Sequence, residues 1–152
     1  MTQDHAFLKD RILWYFRKGA GDGLQSTHPF DELPELTWTY LTETVRIAPP
    51  ELGVLAFFRD QDCWTLVTTA RVAWKLAGEL KVFGFDELAK VTVDRAELTR
   101  SEGRAKSYLD RIIVETIDDA KYEAPAEAGS GLFAIWNALL LVIRRPEIPD
   151  QG

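Results

Sequence analysis

Between Leu52 and Ala124 the chain alternates short apolar runs with turn signals, and after Ser130 its apolar period lengthens to that of a helix. Leu52–Arg59 (LGVLAFFR) ends at Asp60-Gln61-Asp62, a turn; Cys63–Val67 and Arg71–Leu76 follow, and Gly78 marks another turn. Val82–Phe85 and Ala89–Val93 flank Asp86-Glu87. Arg111–Thr116 is joined through Asp118-Asp119 to Lys121–Ala124 as a hairpin. So many short strands in succession point to a sandwich or barrel. Leu132, Ile135, Trp136, Leu139, Leu140 and Ile143 then share one broad helical face. Ser130 is the expected N-cap, Arg144 and Arg145 suit the negative end of the helix dipole, and Pro146 terminates it. Residues 146–152 are expected to be disordered.

Ahead of this region, residues 5–18 read as an amphipathic helix capped by Asp4 and stopped by Gly19, with Phe7, Leu8, Ile12, Tyr15 and Phe16 as its apolar positions. Gly19–Pro34 is a long Gly- and Pro-punctuated connector, part of it mobile or wrapped over the surface. In residues 36–47, Leu36, Trp38 and Tyr40 alternate with Thr37 and Thr39, which favours a strand; Trp38, Leu41 and Val45 also suit a helical face.

At 152 residues the chain is long enough for one domain with its own core. A single cysteine, Cys63, excludes an internal disulfide and a thiolate cluster, and His5 and His28 lack the spacing of a metal pair. No cofactor is implied. Asp4, Lys9, Asp10 and Arg11 interrupt any signal-peptide core, and Leu132–Ile143 falls short of the ~20 residues of a membrane span. A soluble, cytoplasmic protein is expected. Eighteen Lys and Arg against 24 Asp and Glu give a net charge of -6, so nucleic-acid or membrane binding would need a local basic patch. Arg95, Arg100, Arg104, Lys106 and Arg111 are the best one, yet Asp94, Glu97, Glu102 and Asp110 interleave with them, as in a solvated charged loop.

An antiparallel meander closed by one amphipathic helix is a specific order of elements. Four stretches, ELGVLAFF, WTLVTTARVAWKL (with Thr68, Thr69 and Arg71 before an apolar strand), KVFGFDELAKVTV and FAIWNALLLVIRR, together resemble the bacterial pleckstrin-homology-like domains. The resemblance spans residues 51–145 and leaves residues 1–50 as an N-terminal helix and connector. It implies an α+β fold: a PH-like bent antiparallel β-sheet or partly open barrel capped by a C-terminal α-helix, with Trp136 as its central plug among Leu132, Phe133, Leu139 and Leu140. It also implies binding through loops rather than catalysis. Lipid-binding members carry basic residues in the first hairpin, whereas Arg59-Asp60-Gln61-Asp62 is more acidic than basic, which argues against phosphate headgroups.

Other motifs yield little. GAGDG (19–23) follows a helix instead of opening one, so it is not a dinucleotide loop, and AGSG (128–131) reads as a helix start. Cys63 lies between acids that raise its pKa and reads as a strand cysteine near the core; His28 reads as a surface-loop histidine. Adjacent carboxylates at Asp31-Glu32, Asp86-Glu87 and Asp118-Asp119 serve turns. The aromatics say more. Trp14, Tyr15 and Phe16 are consecutive on one helix and cannot all face a core, so some remain for a partner or for packing under the connector. The function expected is therefore non-catalytic binding of a protein partner. Trp14, Tyr15, Arg59, Asp60, Asp62, Arg100, Arg104 and Lys106 are the candidate contacts. A narrower version is a bacterial immunity protein whose acidic surface steers a cationic toxin. The alternative is a small-ligand or lipid-headgroup sensor using the open barrel end and the Arg95–Arg111 loop.

Overall fold

The computed structural model describes residues 4–19, 24–93 and 110–143. Helix α1 (His5–Gly19) starts where Asp4 accepts the Phe7 N–H at 3.0 Å, the side-chain cap that the sequence predicts. Strand β1 (Thr27–Pro29) and a 3-10 turn (Phe30–Glu32) lead into α2 (Glu35–Val45). Seven strands follow: β2 (Gly53–Asp60), β3 (Cys63–Thr68), β4 (Arg71–Leu76), β5 (Glu79–Gly84), β6 (Leu88–Thr92), β7 (Arg111–Thr116) and β8 (Lys121–Pro125). The last described element is α3 (Ser130–Ile143). All strands pair antiparallel, as β1-β2-β3-β4-β5 in one sheet and β6-β7-β8 in another.

The break between sheets is local. A second 3-10 turn, Phe85–Glu87, intervenes after β5, and Glu87 Oε1 accepts the Gly84 N–H at 2.7 Å. The turn steers the chain out of the first sheet, so the fold is α+β with two sheets in place of one bent sheet. Among the described residues neither sheet closes into a barrel.

Strands β2–β4 of the five-stranded sheet are buried on both faces, which explains why LGVLAFF is continuously apolar where a half-exposed strand would alternate. Leu55, Val67, Val72 and Trp74 face the main core, shared with Leu8, Ile12 and Leu13 of α1, Ile112 and Val114 of β7, and α3. Residues of opposite parity, Ala56, Trp64, Leu66 and Ala73, face a second core closed by Phe30, Leu33, Leu41 and Val45. Gly53 makes that cover possible: a Cβ there would stand 2.5 Å from the Phe30 ring.

Five further expectations are corrected. Residues 36–47 are not a strand: Glu35–Val45 is helical, because Leu41 and Val45, four apart, cover the sheet while Leu36 and Trp38 face solvent. Trp136 is not the plug. Leu132, Ile135 and Leu139 are fully buried, and Trp136 is half-buried at the margin, its Nε1–H donating to Val91 O at 3.1 Å. Ser130 is the first residue of α3 and not its cap; the preceding residue is Gly129, at φ 87°. On α1, Phe7 and Tyr15 point outward and Leu13 takes a core position. Within the connector Thr27 and Pro29 pair with Phe57 and Leu55, which puts His28 in a strand instead of a loop. The expectations for Arg144, Arg145, the 146–152 tail and most of GAGDG lie outside the described residues.

Candidate functional site

Helix α1 has two unlike faces. At 100° per residue, Leu8, Ile12 and Phe16 fall together and pack into the main core, against α3 and β2. On the opposite side Phe7 and Trp14 remain 60% and 54% exposed, and Tyr15, at the margin beside Leu8, remains 46% exposed. Three large exposed rings on one helix are unusual for a surface that meets only water.

Cations are woven between the rings. The Arg11 guanidinium lies 5.6 Å from the Tyr15 ring centre, and Lys18 Nζ lies 4.7 Å from that of Trp14. Trp14 and Tyr15 meet edge to face at 4.9 Å. Shallow grooves flank Trp14, one beside Arg17 and Lys18, the other beside Phe7 and Arg11; Asp10 borders both. The helix is held along one flank by ion pairs to the first 3-10 turn, Lys9–Asp31 at 2.7 Å and Arg17–Glu32 at 3.5 Å. A face of rings and cations on a fixed helix can dock apolar groups and anions without rearranging first.

The hairpin candidates sit elsewhere and have local tasks. Asp60 Oδ1 accepts the Asp62 N–H at 2.8 Å, closing the β2–β3 turn. Arg59 lies over the Phe57 ring at 5.7 Å, Asp62 approaches Lys75 at 3.9 Å, and Tyr40 of α2 donates to Gln61 O at 3.0 Å. The structure brings Trp14 and Tyr15 together, and Arg59, Asp60 and Asp62 together. Among the described residues no hydrogen bond, ion pair or ring contact joins the two groups. Arg100, Arg104 and Lys106 lie outside the described residues.

Cys63 is half-buried at the start of β3. Burial pushes its thiol up; Asp60 and Asp110 act in the same direction, and Arg59 and Arg111 oppose them. The imidazoles are engaged with other partners: His5 Nδ1 meets Thr69 Oγ1 at 2.6 Å, and His28 Nε2 meets Gln25 O at 3.2 Å. Among the described residues no group of three or more His, Cys, Asp or Glu is placed to hold a metal ion, and no helix is long and apolar enough to cross a membrane.

The Thr68, Thr69 and Arg71 motif has a structural use. Arg71 grips Glu51 through Nε at 2.9 Å and Nη2 at 2.7 Å, and Nη2 also donates to Val45 O at 3.0 Å, at the end of α2. The Glu51 contact raises the Arg71 pKa further, against its partial burial. Thr68 donates to Glu51 and receives the Arg71 N–H at 2.8 Å. Phe7, Arg11 and Lys18 are the site members that sequence reasoning missed. Their signal was present as steps of four, three and four residues through Phe7, Arg11, Trp14 and Lys18.

Compared with known proteins, the chain matches no family model, no curated protein and no solved structure.

Proposed function

We propose that this chain is a non-catalytic binding module of the pleckstrin-homology-like type that engages a protein partner through the outer face of α1. Among the described residues, the seven antiparallel strands β2–β8 in two sheets, and a C-terminal helix that buries Leu132, Ile135 and Leu139 against them, support the family reading. The observation that carries the function is the exposure of Phe7, Trp14 and Tyr15 on a helix whose other side is locked into the core. Buried aromatic anchors dominate binding energy at protein interfaces, and a pre-positioned helix avoids the entropy cost of ordering one. The immunity reading draws on acidic steering of a cationic toxin and gains nothing from this face, where the cations Arg11 and Lys18 lie beside the exposed rings.

The test is affinity capture from the native cells with the tagged full chain, beside Phe7→Ser and Trp14→Ser. The expected result is a stoichiometric protein retained by the parent chain and lost by both variants, with melting temperatures within a few degrees of the parent. Retention by the variants, or no captured protein at any salt, would overturn the proposal.

A further inference from the structure

Phe7, Arg11, Trp14 and Lys18 form a single line along α1, apolar and cationic by turns, with the spacing of a seam between two helices. The cations of this line differ from the others on the helix. Lys9 and Arg17 are matched by Asp31 and Glu32. Arg11 and Lys18 instead lie over Tyr15 and Trp14, and among the described residues no carboxylate is within ion-pair distance of either. In a chain of net charge -6, two unmatched cations beside exposed rings make a local positive stripe.

We propose, on the premise that the α1 face docks a protein, that its partner contributes an acidic amphipathic helix. That helix would lie along α1 with apolar side chains against Phe7 and Trp14 and Asp or Glu side chains against Arg11 and Lys18. A second copy of this chain is the poorer fit, because two such stripes face to face gather four unmatched cations against two Asp10 carboxylates. An anionic bilayer fits less well again. A flat surface laid on this side would press the exposed Asp4 and Asp10 against its headgroups, whereas a helix roughly 10 Å wide follows the stripe between them.

The test uses two synthetic helical peptides of about 20 residues with the same leucine stripe, one flanked by glutamates and the other by lysines. Each is titrated calorimetrically against the full chain at about 50 and about 300 mM salt. The glutamate peptide should bind, and weaken severalfold at the higher salt. Arg11→Glu with Lys18→Glu should cost it about tenfold or more and transfer the preference to the lysine peptide. Arg11→Gln with Lys18→Gln should remove the preference if the reversed chain fails to fold. Equal binding of both peptides, binding of neither, or a glutamate preference that survives the substitutions would overturn the inference. So would a dimer in sedimentation that Trp14→Ser dissociates, or binding to phosphatidylcholine–phosphatidylglycerol vesicles without any peptide preference. A natural partner lost by Trp14→Ser but kept by the charge-reversed chain would overturn the acidic-helix inference alone and leave the docking reading standing.

Discussion

Glu127 reaches back about a hundred residues along the chain. Its Oε2 accepts the Gln25 N–H at 2.8 Å, and its Oε1 accepts the Ser26 N–H at 2.9 Å and the Thr27 hydroxyl at 2.7 Å. Burial is the largest single influence and opposes its ionisation. The three bonds, with the nearby His28, outweigh it and hold the carboxyl below the usual range. A folded-state value below the unfolded one means the unfolded chain takes up the proton first as pH falls. The stabilisation is therefore complete above the ordinary glutamate value of about 4.3 and is lost as pH drops through the folded value. Urea midpoints measured from neutral to acid pH should fall across that window, and Glu127→Gln should flatten the fall while costing about 1–3 kcal/mol at neutral pH. An unchanged acid limb would show that the clamp does not contribute. Nothing in EAPAEAGSG announces it, because its partners are mostly backbone amides a hundred residues away. The α3 core was legible as a face but not by its centre: a helical period locates a stripe, and which member sits deepest depends on tilt. Ile135→Ala should cost about 2–5 kcal/mol. Trp136→Phe, which keeps a ring and loses the bond to Val91, should cost about 1 kcal/mol in the same measurement. Comparable losses would restore Trp136 to the centre.

Elements were readable where a turn fixed both ends. The strands Arg71–Leu76 and Arg111–Thr116 fall where apolar runs meet Gly78 and Asp118-Asp119. The reading failed at α2, where four threonines and two aromatics imitate strand composition. Tertiary context decides there: a helix placed on the outer sheet face buries Leu41 and Val45 beside Trp64 and Leu66, a gain that outweighs low helix propensity. Arg71 and Glu51 then hold the end of that helix, using residues that the sequence showed only as part of a strand pattern. The β4–β5 hairpin offers a cleaner prediction. Leu76 pairs with Glu79 across two residues, Ala77 at φ 53° and Gly78 at φ 80°, a turn with both central residues left-handed. Alanine tolerates that region poorly, and asparagine is favoured there ahead of glycine. Ala77→Asn should raise stability by about 0.5–1 kcal/mol, read as a higher urea midpoint at an unchanged slope. A lower midpoint would mean that the turn is not of this type.

At the scale of the whole molecule, one sheet is the wall of two cores. Strands β2 to β4 send Leu55, Val67, Val72 and Trp74 to one side and Ala56, Trp64, Leu66 and Ala73 to the other, so neither core can lose order without stripping a face of the other's scaffold. The N-terminal segment is tied in twice, through Leu8, Ile12 and Leu13 of α1 on the inner side and through Phe30, Leu41 and Val45 on the outer side. That second tie is not legible in the sequence, since the stretch from 51 to 145 reads as self-sufficient and a long connector rarely supplies a core. It follows that unfolding should be a single cooperative event. Trp74 reports the main core and Trp64 the outer one. Fluorescence of variants retaining only one of these tryptophans should give coincident urea transitions, matching that of far-ultraviolet circular dichroism. Separate midpoints, with Trp64 exposed first, would show that α2 and the 3-10 turn peel away as an independent unit. The same dependence makes residues 51–152 alone a poor protein: losing the N-terminal segment uncovers Trp64, Leu66 and Phe58 on one sheet face, a contiguous apolar surface that should drive aggregation. Because α1 cannot detach without cost, its outward rings are presented on a body as stable as the domain itself. A docking face that must stay rigid while exposing Phe7, Trp14 and Tyr15 needs that coupling.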